Sequence, residues 1–140
     1  NLHKGDFTLT VVPSPPDAPD NDSCAAPQQL IFQNNVSQAS GMTLFSNDLS
    51  SAPCGGAGAP ENVFSFVVPA GTSKASFNVD ADFNPALYIV LENCNGPPVA
   101  CVPAATYDMG WPGQGTYYLF VDGKTANDKG LYTLTVTLTQ

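Results

Sequence analysis

Residues 80–84 hold three hard oxygen donors at alternate positions: Asp80, Asp82 and Asn84, with Ala81 and Phe83 between them. That spacing matches positions 1, 3 and 5 of an EF-hand loop, where carboxylate and amide oxygens bind calcium. The match ends there. An EF-hand needs glycine at position 6 and a bidentate glutamate at position 12, and this sequence has Pro85 and Leu91. The remaining candidate is a looser calcium site made of Asp80, Asp82 and Asn84, set against the plainer reading of a solvated polar turn. Asp20, Asn21 and Asp22 form a second oxygen-rich cluster with the same two readings.

Catalytic combinations are scarce. A nucleophile–histidine–carboxylate set needs a histidine within reach of the nucleophile, and the one histidine, His3, sits at the edge of an N-terminal strand. Asp80, Asp82, Glu92, Asp108 and Asp122 are the candidates for a carboxylate pair of the glycosidase kind. Most of them adjoin Gly, Pro or Asn, where acidic side chains usually shape turns. The chain is therefore expected not to be an enzyme. Trp111, Tyr107, Tyr117 and Tyr118 are candidates for a carbohydrate platform. Neighbouring strand residues point to opposite faces, so Tyr117 and Tyr118 cannot both line it.

Four cysteines stand at 24, 54, 94 and 101. Zinc sites require close CxxC-like pairs, usually with histidine, and these spacings do not provide them. An even count in a turn-rich acidic chain reads as two disulfides and an oxidising compartment. Three pairings are open; the pairing of sequence neighbours, Cys24–Cys54 with Cys94–Cys101, is favoured.

The elements that must position these residues are strands. The composition includes 12 Gly and 13 Pro, 43% hydrophobic and only 11% charged residues, which describes a globular chain with many turns. No window combines helical periodicity with good helix formers. Residues 61–68 and 73–79 alternate cleanly, 86–91 is an apolar run of the central-strand kind, and the 102–113 segment is ambiguous. The ending, 115–139, contains two alternating runs around a polar, Gly-containing connection and reads as a β-hairpin. In its first run Tyr117, Leu119 and Val121 share a face opposite Tyr118, Phe120 and Asp122. In its second, Tyr132, Leu134, Val136 and Leu138 oppose Thr133, Thr135, Thr137 and Thr139. Seven to nine short strands at roughly ten-residue spacing imply an all-β, antiparallel, jelly-roll-like sandwich stapled by disulfides. The 15-residue loop 46–60 is long for such a domain, and Cys54 offers the staple that it needs.

Several motifs carry a family resemblance. Asn21-Asp22-x-Cys24 opens the domain, and Cys54 precedes the aromatic strand Val63-Phe64-Ser65-Phe66. Asn84-Pro85-x-Leu87-Tyr88 and the Cys94 to Cys101 knuckle follow. Gly115-Thr116-Tyr117-Tyr118 and Val121-Asp122-Gly123 lead to Gly130-x-Tyr132-Thr133-Leu134. In this order residues 20–139 resemble the bacterial pre-peptidase C-terminal (PPC-like) domain. The resemblance implies a jelly-roll-like sandwich, appended to secreted enzymes or repeated in surface proteins, with calcium or collagen-like polymers as ligands of some relatives. An acidic pair often follows the second knuckle cysteine in that family; here Val102-Pro103-Ala104 stands there.

Residues 3–12, HKGDFTLTVV, echo residues 128–137, DKGLYTLTVT. The chain thus divides into an N-terminal strand (1–12), a proline-rich linker (13–19) and the sandwich (20–140). Four prolines in seven residues make the linker a stiff spacer. The strand's apolar face, Phe7, Leu9 and Val11, is an assembly candidate, either as the end of a preceding repeat or as a strand donated to a neighbouring sandwich. No signal peptide or transmembrane segment is legible in the sequence, so a mature secreted product or an excised piece of one is expected. With 12 acidic residues, 4 lysines and a net charge of −8, nucleic acid and anionic membrane are excluded as partners, because phosphate contacts need clustered cations. The resulting expectation is a non-catalytic structural or adhesive module at the bacterial cell surface, repeating through its N-terminal strand in a filament. The alternative is a polysaccharide- or protein-fibre-binding module appended to a secreted hydrolase.

Overall fold

A computed structural model describes residues 19–140. The N-terminal assembly strand with Phe7, Leu9 and Val11 lies outside the described residues, as does the linker apart from Pro19. Nine strands follow: β1 (Gln28–Gln29), β2 (Val36–Met42), β3 (Asn62–Val68), β4 (Lys74–Ala81), β5 (Pro85–Leu91), β6 (Pro98–Val102), β7 (Thr106–Gly110), β8 (Gly115–Gly123) and β9 (Leu131–Thr139). They form two packed sheets, ordered β1-β3-β8-β5-β6 and β2-β9-β4-β7. Every pairing is antiparallel except the short β1–β3 pair. The all-β sandwich expected from the sequence is present, and the ambiguous 102–113 segment contributes β7.

Alternation accounts for the sheet faces. On β9, Tyr132, Leu134, Val136 and Leu138 are buried, while Thr133, Thr135 and Thr137 lie half-buried on the other face. Tyr117, Leu119 and Val121 of β8 enter the same interior from the facing sheet. Phe66 is central there, with ring centroids 5.6 Å from Tyr117, 5.7 Å from Phe77 and 6.5 Å from Phe32. Each such buried aromatic contributes roughly 2–3 kcal/mol through lost apolar exposure.

The terminal segment is not a hairpin. β8 and β9 belong to different sheets, and residues 124–130 carry the chain across the sandwich. Their apolar faces meet across the interior, whereas a hairpin would set them side by side in one sheet. Asp128 holds the crossover: its Oδ2 accepts from the Thr125 amide at 3.0 Å and hydroxyl at 2.9 Å, and its Oδ1 accepts from the Asn84 amide at 3.3 Å. Among the described strands, only β5 and β6 are both consecutive in the chain and adjacent in a sheet.

The five-stranded sheet has a second apolar layer on its outer face. Val63, Tyr88, Val90 and Phe120 are buried there, packed against Ala52, Tyr118 and all four cysteines. Loop 46–60 is thus a strap over this face. The disulfides on this face are Cys24–Cys94 and Cys54–Cys101, with Cα separations of 5.8 and 5.6 Å, and the second fixes the strap. This corrects the expected neighbour pairing. Cys101 lies opposite Tyr88, two residues down the ladder from the Val90–Pro98 rung, whereas Cys94 lies in the turn beyond that rung. Two strand residues already span ~7 Å, the limit for an unstrained disulfide.

Candidate functional site

The strap encloses two carboxyl groups. Glu61 and Asp122 are both fully buried. Asp122 ends the run Tyr118, Phe120, Asp122 on the strap side of β8. Its Oδ2 accepts the Tyr88 hydroxyl at 2.9 Å, and its Oδ1 accepts the Gly123 amide at 2.7 Å. Glu61 precedes β3, and its Oε1 accepts the Leu49 amide of the strap at 2.8 Å. Its Oε2 is buried with no hydrogen-bond partner. Burial pushes the Glu61 carboxyl up to about 8; the Leu49 amide opposes the rise, and the charges of Asp122 and Asp48 add to it. Burial likewise raises Asp122 to about 7, against the Tyr88 and Gly123 hydrogen bonds and with Asp48 adding to the rise. Burial, followed by the Asp122 charge, raises the Tyr88 phenol.

Glu61 ties the strap down through the Leu49 amide, and Asp122 holds Tyr88 beneath it; neither carboxyl is exposed to solvent. The sequence reading placed Asp122 among turn-shaping acids and passed over Glu61. The available signal was the alternation that sets Asp122 two residues beyond Phe120. That signal does not show that a loop covers the outer face.

Outside this buried layer, a cleft of about 290 Å³ opens between residues 49–52 of the strap and the 94–98 knuckle. Tyr88, Val90 and Phe120 form its floor, and Tyr88 and Phe120 stack at 4.6 Å.

The calcium candidates lie at the end of β4 and in the turn to β5. Asp80 and Asp82 border an open groove on the outer face of the four-stranded sheet. Asp82 Oδ1 accepts from the Leu131 amide at 3.1 Å, and the Asn84 side chain donates to Asp128 at 3.4 Å. Two of the three are thus engaged in holding the crossover. Asn21 donates to the Val63 carbonyl at 3.2 Å, and Asp22 accepts from the Asn47 side chain at 2.6 Å. Among the described residues, no group of three or more His, Cys, Asp or Glu side chains is placed to hold a metal ion.

The aromatic platform is dispersed. Tyr117 is buried, Tyr107 stacks on Phe77 at 6.4 Å, and Tyr118 lies half-buried on the strap side. Trp111 is left alone at the end of the sandwich, 78% exposed.

No family model matches the chain, and no curated protein matches it. Among solved structures it is similar to the crystal structure of Aeromonas hydrophila PliG, a periplasmic lysozyme inhibitor of g-type lysozyme. The TM-score is 0.57 at 9% sequence identity, over 81% of this chain and 96% of that one. It is also similar to Salmonella Typhimurium PliG, likewise a periplasmic inhibitor of g-type lysozyme, with a TM-score of 0.49 at 12% identity over 79% and 96% of the two chains. At these identities the likeness is one of fold. It nevertheless corrects the functional expectation: the sandwich matches that of an inhibitor directed at a protein, not a filament subunit, surface adhesin or fibre-binding appendage.

Proposed function

We propose that this chain is a non-catalytic binding module that docks on a cationic protein and inhibits it, in a periplasmic or extracellular compartment. The observation that carries this reading is the fold likeness to the A. hydrophila inhibitor, which extends over 96% of that chain. Charge supports it. A net charge of −8 steers a basic protein toward the surface and repels acidic ones. Two long-range disulfides suit an oxidising compartment. The resemblance of residues 20–139 to PPC-like domains belongs to the same proposal, since such domains accompany a reaction without performing it.

The test is direct. The purified chain is titrated into g-type lysozyme while lysis of a cell-wall suspension is followed, and binding is measured by calorimetry at low and high salt. The expected result is saturable inhibition with affinity that weakens as salt rises. Full lysozyme activity at a large excess of the chain, together with no binding heat, would remove this reading.

A further inference from the structure

Four non-glycine residues of the described chain have left-handed backbone: Asn34 (φ 52°), Asn35 (φ 64°), Glu92 (φ 62°) and Trp111 (φ 48°). Three of them have a local explanation. Asn34 and Asn35 form the two-residue turn inside the Gln33–Val36 bridge, and asparagine tolerates that conformation well. Glu92 gains from its own placement: its amide donates to the Thr116 carbonyl at 2.8 Å and its Oε1 accepts the Thr116 amide at 3.0 Å.

Trp111 gains nothing comparable. A left-handed conformation is unfavourable for a bulky side chain, and this indole is 78% in solvent, so packing does not offset the strain. Yet the turn is pinned on both sides. The Trp111 amide donates to the Ser73 carbonyl at 2.7 Å, Pro112 is buried, and the Tyr117 hydroxyl donates to the Gly113 carbonyl at 2.9 Å. The fold therefore pins the backbone that carries this large aromatic and leaves the ring in solvent, at a cost to its own stability. Strain retained in this way marks a functional position. Tryptophan is also among the residues most enriched at interface hot spots.

The surroundings indicate what it meets. The same turn runs on to Gly115, where Leu91 and the Glu92 carboxylate abut the backbone. An exposed indole face on a chain of net charge −8 suits an arginine or lysine chain of a basic protein, through cation–π and long-range charge attraction; Lys74, opposite Gly110, is the charge that the ladder places beside the turn. We infer that Trp111 is the anchor by which this chain docks its cationic protein partner. This rests on the protein-binding reading above.

The experiment uses the full chain with g-type lysozyme as probe, and compares wild type with Trp111→Asn, Trp111→Gly and Trp111→Phe. The inference expects opposite signs from two measurements. Asn and Gly relieve the backbone strain and raise the melting temperature by ~3 °C, as about 1 kcal/mol does in a domain of this size. The same variants raise the Kd at least ~30-fold, the effect of losing a hot-spot aromatic. Phe, which keeps a ring, raises it less. If Asn and Gly bind as tightly as wild type, the anchor role is overturned while the protein-binding reading stands. If wild type itself does not bind, both are overturned.

Discussion

The Tyr88 hydroxyl donates to Asp122 Oδ2 at 2.9 Å, and both groups are buried beneath the 46–60 strap. The ring of Tyr88 stacks on Phe120, so packing and hydrogen bonding at this residue can be separated. Tyr88→Phe keeps the stack and leaves a buried carboxyl oxygen without its donor. The expected loss is about 1–3 kcal/mol, read as a lower urea midpoint at unchanged slope. An unchanged midpoint would show that the hydroxyl carries no weight.

The Glu61 and Asp122 carboxyls give stability an unusual dependence on pH. Their folded pKa values, about 8 and about 7, lie above the ordinary 4.5 and 3.8. Between those limits the folded state binds more protons than the unfolded state. Stability is therefore fullest below about pH 4 and falls as pH rises toward 8, by up to about 1.4 kcal/mol per pH unit for each proton. Asp48, on the strap, adds its charge to both. Glu61→Gln keeps an acceptor for the Leu49 amide and removes one titration. Denaturant melts from pH 4 to pH 9 should show a shallower decline for this variant and a gain over wild type above pH 8. Parallel curves for the two proteins would exclude Glu61 as a source of the slope.

Alternation made the faces of β8 and β9 legible, because a period of two assigns each side chain without knowledge of the partner strand. It could not assign the partner. Tyr117, Leu119 and Val121 present the same pattern whether the next strand lies beside them or across the core, and here it lies across. The disulfides show the same limit: cysteine count and compartment follow from composition, but connectivity follows from which loop covers which sheet. Asp122 was misread for this reason, since a polar residue opposite a core face ordinarily meets water. At Asp80, Asp82 and Asn84 the oxygen spacing is real, but the hydrogen bonds to Leu131 and Asp128 that occupy two of them come from remote sequence. Trp111 was visible as a residue type, while its strained backbone is apparent only in three dimensions.

The disulfide pattern is open to direct mapping. Non-reducing proteolysis should give one linked peptide pair containing Cys24 with Cys94 and another containing Cys54 with Cys101. The sequence separations of 70 and 47 residues place each crosslink at about 4 kcal/mol on the chain-entropy model. Replacing Cys54 and Cys101 together by Ala frees the middle of the strap over Tyr88 and Phe120. That variant should unfold at a clearly lower temperature and show faster amide exchange at Val63 and Phe120 than at Leu134, which lies in the other core. Uniform acceleration across both cores would mean that the strap does not open as a separate unit. Linked peptides joining Cys94 to Cys101 would overturn the pairing itself.

Gly123 tests the crossover that replaces the expected hairpin. It ends β8, and a Cβ there would run into the backbone carbonyl of Asp128. Backbone cannot rotate aside as a side chain can, so Gly123→Ala must shift the 124–130 segment. That shift pulls Asp128 from Thr125 and Asn84 and moves the entry of β9, whose Leu131 amide is tied to Asp82. The expected cost is about 3 kcal/mol or more, in the range of an overpacked core site with broken hydrogen bonds. Gly71, which a Cβ would leave clear of its neighbours, separates steric from conformational effects. It has φ +85°, so Gly71→Ala should cost only the ~1 kcal/mol of left-handed strain. If the two variants melt together, the close approach of Gly123 to Asp128 is not what fixes the crossover, and the β8-to-β9 passage must be held by the core alone.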